Sequence, residues 1–97
     1  MEFITVNHLE EFGGLNRIRT GDRLILKKDL CNCYDDEAIA VYTVNGGKCG
    51  YVANSVHSVA RGTNSAGRIY DKIEGDAECM VRFMTDEIII CQLTERK

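Results

Sequence analysis

The chain has 97 residues, of which 44% are hydrophobic and 28% are charged, with nine Gly and no Pro. This length fits one domain with one small core, so we expect residues 1–97 to fold as a single unit. The composition excludes an intrinsically disordered chain and a collagen-like repeat. Apolar runs such as 88–91 are far shorter than the roughly 20 residues of a membrane span, and no signal peptide is visible.

The predicted elements, in chain order, are those of a β protein, with short runs of strand-forming residues between turn signals. Strands are predicted at residues 3–6, 23–27, 38–44, 48–53, 78–84 and 88–93. The third strand has apolar residues on both faces, which indicates a central position. Asn45-Gly46 tolerates the positive φ angles of a tight hairpin turn, so the third and fourth strands should pair antiparallel.

Two short helices are predicted between the fourth and fifth strands. One covers 56–60, where apolar residues fall on one face, and it stops at Gly62. The other starts after Asn64 or Ser65 and ends at 75–76. Five or six antiparallel strands are too many for a lone flat sheet, and the chain is too short for a sandwich. The predicted fold is therefore mainly β, a small and partly open barrel with two short α-helices.

The net charge of −3 argues against a general polyanion binder, but the charges are unevenly distributed. Residues 12–34 hold five basic and two acidic side chains, and residues 48–72 hold four basic and one acidic. Residues 73–95 reverse the balance, with one basic and six acidic side chains. If the first two segments share a face, they form a locally positive patch. The alternative is solvated charge on strand edges and loops.

The five cysteines, an odd number without a visible secretory signal, indicate reduced thiols and a cytoplasmic protein. Zinc sites usually use cysteine pairs separated by two to four residues, whereas the only close pair here is Cys31-x-Cys33. Cys79 and Cys91 lie in strand patterns, where a thiol packs as a small apolar residue. We therefore expect no metal site and no cofactor. A metal- or thiol-dependent protein using Cys31, Cys33 and Cys49 remains an alternative.

Neither histidine has a catalytic context. No G-x-S-x-G, H-E-x-x-H, P-loop or G-x-G-x-x-G motif occurs in the sequence. His57 is predicted as a surface or half-buried side chain rather than a general base. The adjacent acids Asp35, Asp36 and Glu37 do not make an acid/base pair, because two roles need two environments that separate the pKa values. We expect no catalytic residues and no enzymatic activity.

The loop from Asn32 to Asp35 is the most unusual feature of the chain. It places an amide, a phenol ring and a carboxylate close together, which suits hydrogen bonding, stacking and acceptance of a proton donor. The alternative is a capping turn, in which Asp35 accepts from the amides of Glu37 or Ala38 and Tyr34 covers the barrel end. Local chemistry leaves both interpretations open.

A longer pattern surrounds this loop. It begins with Gly21-Asp22-x-Leu24-x-Leu26, continues as Lys28-Asp29-x-x-Asn32-x-Tyr34-Asp35-x-x-Ala38-Ile39-x-Val41, and is followed by Asn45-Gly46 and Gly50-Tyr51-Val52. In this order of features the chain resembles the HIRAN domain, a family found in helicase-like remodellers and as free-standing small bacterial proteins. The resemblance covers residues 21 to about 60 by motif. The later residues fit by their helix and closing hairpin.

The resemblance implies a barrel related to SH3 and OB barrels that binds single-stranded DNA at a free 3′ end. Asp35 would accept a hydrogen bond from the terminal 3′-hydroxyl, Tyr34 would stack on a nucleotide, and Asn32 would meet a base edge. Tyr51 would contact sugar or phosphate, and Phe83 would supply a second stacking ring. A carboxylate repels internal phosphates but accepts a hydroxyl proton, which favours strand ends.

Two hypotheses of different class follow. The first is a non-enzymatic nucleic-acid-binding module with a pocket formed by Asn32, Tyr34, Asp35 and Tyr51. Its attracting charge would come from Lys27, Lys28 and Lys48, with Arg17, Arg19 and Arg61 as further contributors. The second is a protein-interaction or regulatory barrel that has lost DNA binding, with an exposed edge strand as its surface, in a homodimer or with a partner helicase or nuclease.

Overall fold

The computed structural model describes residues 2–13, 16–55 and 57–94. Within these residues the strands are β1 (Phe3–Asn7), β2 (Arg23–Lys28), β3 (Ile39–Thr43), β4 (Lys48–Val52), β5 (Ala77–Met84) and β6 (Ile89–Leu93). A 3₁₀ helix covers Leu9–Phe12, and an α-helix, α1, covers Ala66–Tyr70. No helix in the described part of the chain combines the length and the apolarity that crossing a membrane requires.

The strands form a closed antiparallel barrel in the order β1-β4-β3-β2-β5-β6. This confirms the mainly β fold class, but the expectation of a partly open barrel is wrong. Val6 of β1 lies opposite both Val52 of β4 and Ile89 of β6, so β1 joins the two ends of the sheet. Register shifts in the β3–β4 and β5–β6 pairs mark irregularities of the kind that bend strands and let a small sheet close on itself.

Closure removes the surface that the protein-interaction hypothesis required. Each of the six strands named above pairs with a neighbour on both sides. None of these strands therefore lies at an end of the sheet, in contrast to the edge strand that this hypothesis expected. Unpaired backbone of these strands is limited to short stretches, such as residues 82–84 of β5, which extend beyond the pairing with β2.

Alternation along the strands fills the barrel with apolar side chains. On β2, Leu24 and Leu26 are buried, while Ile25 between them points outward and is half-buried. On β3, every residue from Ile39 to Val41 is buried, as the central position predicted for this strand requires. Complete burial of one such Leu or Ile side chain contributes about 1.5–3 kcal/mol, so the interior supplies most of the folding free energy.

Only the second predicted helix forms as an α-helix. Ser65 is its N-cap, with Oγ accepting the Arg68 N–H at 3.3 Å, but it ends at Tyr70 rather than at 75–76. Residues 57–60 form turns instead of the first predicted helix, and Val56 lies outside the described residues. The Ser55 side chain accepts the His57 N–H at 3.1 Å, and this local bond competes with helical pairing in a segment too short to nucleate a helix.

Candidate nucleic-acid interface

A surface concavity of about 410 Å³ lies where the β2–β3 loop meets the end of β4. Four of the predicted site residues line it, namely Asn32, Tyr34, Asp35 and Tyr51. The other lining residues are Ala38 and members of two segments, 7–11 and 52–58. Residues far apart in the sequence are therefore brought together at one place on the outside of the barrel.

The polar side chains of the β2–β3 loop fix its shape. Asn32 Oδ1 accepts the N–H groups of Tyr34 at 2.8 Å and Asp35 at 3.0 Å. Asp35 Oδ1 accepts the Glu37 N–H at 2.8 Å, as the capping-turn interpretation predicted. The Asn32 oxygen is therefore committed to the loop. Its amide nitrogen has no hydrogen bond within the described residues, so this is the end that can meet a base edge.

Tyr34 does not cover the barrel end, contrary to the capping-turn interpretation. Its side chain is 95% exposed and makes no ring contact with another described residue. The loop bonds of Asn32 hold the Tyr34 backbone, so the ring stands at the edge of the concavity with its faces toward solvent. A flat apolar ring displayed in this way is available for stacking.

The Asp35 carboxylate is held by a second segment as well as by its own loop. Asn54 Nδ2 donates to Asp35 Oδ2 at 3.1 Å, and Asn54 Oδ1 accepts the Gly67 N–H at 2.7 Å. A Cβ on Gly67 would lie 2.6 Å from Glu37 Oε1, so glycine allows α1 to approach the loop. Asn54 is the sole donor to Oδ2 among the described residues, which leaves acceptor capacity on that oxygen.

Tyr51 forms one wall of the concavity and is linked to Lys48. Its hydroxyl donates to Asp29 Oδ2 at 3.0 Å and accepts from Lys48 Nζ at 3.0 Å. The hydrogen bond to Tyr51 raises the pKa of Lys48 above its usual value. The ammonium also lies 5.0 Å from the centre of the Tyr51 ring. Lys48 therefore carries a stable positive charge directly behind this wall.

None of the three predicted lysines lines the concavity, although Lys48 is hydrogen-bonded to its Tyr51 wall. Lys27 Nζ lies 3.6 Å from Asp76 Oδ2, so a carboxylate offsets its charge. Lys28 Nζ lies 4.4 Å from the centre of the Tyr70 ring on α1. Neither lysine lines the concavity, and their contribution to binding stays a prediction.

Phe83 is also placed elsewhere. It is 63% exposed on β5, three residues beyond Met80, which pairs with Arg23 at the start of β2. The β2–β3 loop follows the opposite end of β2, at Lys28. Phe83 does not line the concavity, and its role as a second stacking ring remains a prediction that this placement does not favour.

Sequence reasoning missed the contribution of β1 and the 3₁₀ helix. Asn7 lines the concavity, and its buried Oδ1 has no hydrogen-bond donor among the described residues. His8 lies beside it with φ 62°, a left-handed conformation that costs about 1–3 kcal/mol in a residue other than glycine. The His8 ring pairs with Glu11 at 2.9 Å and meets Tyr51 edge to face. Strain and an unpaired polar atom together are features of functional sites.

The cysteines separate into two groups. Cys31 and Cys33 are exposed on the β2–β3 loop, whereas Cys49, Cys79 and Cys91 are buried in the barrel, as predicted for Cys79 and Cys91. Burial raises the pKa of Cys49 to about 11. Cys31, Cys33 and Cys49 therefore do not share one site. In the described ranges, no three His, Cys, Asp or Glu side chains converge in a way that could hold a metal ion.

A closed antiparallel barrel with loop residues around a lateral concavity defines the class of small β-barrel binding domains. The family model of the HIRAN domain matches residues 6–86, and the chain belongs to this family. HIRAN domains are in general nucleic-acid-binding modules. The resemblance recognised from the motifs between Gly21 and Ala60 is thereby confirmed.

One solved structure supports the fold. A protein from Lactobacillus plantarum, known from a crystal structure, is 21% identical to this chain, with a TM-score of 0.61. The alignment covers 98% of this chain and 94% of that protein. At this level of identity the likeness shows a common fold and nothing about the ligand. No curated protein sequence matches the chain.

Proposed function

We propose that this protein is a non-enzymatic module that binds the free 3′ end of single-stranded DNA in the concavity beside Tyr34 and Asp35. The observation that carries the proposal is the proximity of a 95% exposed tyrosine ring to a carboxylate whose Oδ2 has one donor among the described residues. The proposal includes a cytoplasmic location, since exposed Cys31 and Cys33 stay reduced in that compartment.

Tyr34 would supply affinity that does not depend on base identity. Every base has a flat face, and base–aromatic stacking is worth about 1–3 kcal/mol per base. The concavity next to the ring has a volume of about 410 Å³, within the range of small-ligand sites. One terminal nucleotide can therefore stack on Tyr34 while its sugar lies toward Asp35.

Asp35 would supply selectivity for the chemical nature of the strand end. A hydroxyl that donates to a carboxylate gains about 1.5–3 kcal/mol. A phosphate charge about 4 Å from the same carboxylate is opposed by about 4 kcal/mol at an effective dielectric constant of 20. The two terms have opposite sign, so the site should distinguish a 3′-hydroxyl from a 3′-phosphate.

The test is a fluorescence titration, at low salt, of short oligonucleotides that differ only in the 3′ group. We expect the protein to prefer the 3′-hydroxyl and Asp35→Asn to lose that preference, because the charge is gone. Asp36→Asn is the matched control: this neighbouring acid is exposed and makes no hydrogen bond in the described residues. Melting temperatures of both variants establish that they fold.

Two results would count against the proposal. Equal affinity of the unmodified protein for the two ends removes the role of Asp35. Absence of binding to every oligonucleotide at low salt removes the nucleic-acid function itself.

One observation favours a second candidate, a protein-interaction barrel. Leu30 and Tyr34 are large side chains on the same loop and are 83% and 95% exposed. Exposed apolar groups of this kind mark protein contacts as well as ligand sites. A homodimer or a partner helicase or nuclease could use them. Sedimentation that reveals a stable dimer, abolished by Tyr34→Ala, would favour this candidate over the first.

A further inference from the structure

The concavity cannot itself hold the phosphates of a bound strand. Two carboxylates, Asp35 and Glu11, line it, and the imidazole of His8 is already paired with Glu11. Lys48 donates to the hydroxyl of Tyr51 and does not line the concavity. A strand whose 3′ nucleotide lies in the concavity must therefore place its first internucleotide phosphate elsewhere, where positive charge is uncompensated.

A second groove adjoins the concavity and has the opposite charge. This arginine groove, with a volume of about 570 Å³, is lined by Asn54, residues 59–65 and Arg68. Its described lining residues include Arg61 and Arg68 and no carboxylate. The groove between β2 and β5 is different, because Arg23 there lies among Asp76 and Glu78. Asn54 lines both the concavity and the arginine groove, so the two lie on either side of this residue.

The two arginines of this groove are free to meet an anion. Neither guanidinium makes an ion pair or a hydrogen bond with another described residue, and both residues are exposed. By contrast, Arg23 Nη1 lies 3.8 Å from Glu78 Oε1, so a carboxylate offsets its charge. Guanidinium groups bind phosphates through parallel hydrogen bonds, so unpaired arginines in a groove without carboxylates suit a phosphodiester.

The backbone that carries these arginines is anchored to the barrel. The Thr63 hydroxyl donates to Ala60 O at 2.7 Å and is within 2.8 Å of Thr5 Oγ1 on β1. Arg68 lies on α1, whose Gly67 N–H is bound by Asn54. The groove is therefore formed before any ligand arrives, and its position relative to the concavity is fixed through Asn54.

We infer that the arginine groove is a second subsite, which binds the phosphodiester backbone on the 5′ side of the terminal nucleotide. The strand would run from the concavity past Asn54 to Arg61 and Arg68, with no contact to base edges in the groove. This inference rests on the proposed function, because it assumes that the strand end lies in the concavity. It adds the direction of the strand and the residues that bind its backbone.

Binding of thymidine, a thymidine dinucleotide and a thymidine tetranucleotide, all with a free 3′-hydroxyl, tests the inference. The variant is Arg61→Gln/Arg68→Gln, measured by NMR titration. The matched control is Arg23→Gln/Arg82→Gln, which removes the same formal charge from two exposed residues that line neither the concavity nor the arginine groove. Amide spectra of both variants establish that the barrel is intact.

We expect both double variants to bind uncharged thymidine as the unmodified protein does. With the tetranucleotide, the Arg61/Arg68 variant should bind about tenfold more weakly, since it loses two charge-assisted contacts. The slope of log affinity against log salt should fall in magnitude by about 1.4, which is 0.7 for each lost phosphate contact with a single strand. The Arg23/Arg82 control should retain both the gain in affinity with oligonucleotide length and the salt dependence.

Different results overturn different statements. If the Arg61/Arg68 variant gains affinity with length as the control does, the second subsite is wrong, while a preference for the 3′-hydroxyl would leave the proposed function in place. If both double variants lose affinity equally, general charge rather than this groove attracts the strand, and the subsite is again wrong. If the unmodified protein binds no oligonucleotide, the proposed function and the subsite are both overturned.

Discussion

The barrel interior and the concavity are built from the same strands but by opposite chemistry. On β4, Cys49 and Val52 are buried in the barrel, while Tyr51 faces the concavity and is hydrogen-bonded to Asp29. The interior is held by apolar burial and the concavity by hydrogen bonds between loop side chains. Changes in the interior should therefore alter the free energy of unfolding, and changes to an exposed side chain of the concavity such as Tyr34 should alter binding.

The largest effect is expected inside the barrel. Leu26→Ala removes a completely buried side chain of β2 and should lower the free energy of unfolding by about 2–5 kcal/mol. Ile25→Ala, on the same strand but with a half-buried, outward side chain, should cost clearly less. Urea unfolding monitored by circular dichroism measures both. Similar losses for the two variants would mean that the barrel interior is not the main source of stability.

The next effect is expected in the concavity. Tyr34→Ala should weaken binding of a 3′-hydroxyl oligonucleotide by about 1–3 kcal/mol, because one base loses its stacking partner. Its unfolding free energy should stay within about 0.5 kcal/mol of that of the unmodified protein, since the side chain is 95% exposed. Oligonucleotide titration of the sample tests the expected loss of binding, and urea unfolding of the same sample tests the expected stability. A large loss of stability would abolish the proposed separation between interior and concavity.

The smallest effect concerns the buried thiols. Burial raises the pKa of Cys49 from 9.0 to about 11, so the unfolded chain ionises this thiol at a lower pH than the folded chain. Stability is therefore complete below pH 9 and falls as the pH rises toward 11. One such group should account for a loss of about 1 kcal/mol by pH 10.

Thermal unfolding between pH 7 and pH 10 measures this loss, and two variants identify its source. Cys49→Ala should reduce the alkaline loss, whereas Cys31→Ala, at an exposed thiol, should leave it unchanged. An unaltered pH profile in Cys49→Ala would assign the loss to other groups.

Much of the fold could be predicted because it follows from short-range patterns. Alternation of apolar residues located the strands to within one or two residues of their observed ends, and Asn45-Gly46 marked the β3–β4 hairpin, where Gly46 has φ 98°. The helix over 56–60 was wrong because the hydrogen bond between Ser55 and His57 outweighs a weak apolar pattern.

The candidate site, like the fold, could be predicted from the sequence only in part. The loop from Asn32 to Asp35 could be found from the sequence, because its amide, ring and carboxylate are adjacent. Asn54 could not, since its side chain reaches Asp35 only through the tertiary fold. Phe83 was named by resemblance, and the observed register places it away from the loop.

The sequence by itself determined the strand positions, the principal turn and the loop that carries Tyr34 and Asp35, because these depend on neighbouring residues. Tertiary structure alone decided that the barrel closes through Val6 and that Asn54 joins the loop to α1. It also decided that an acidic concavity adjoins a groove of unpaired arginines. These features depend on contacts between residues far apart in the chain, which no local pattern specifies.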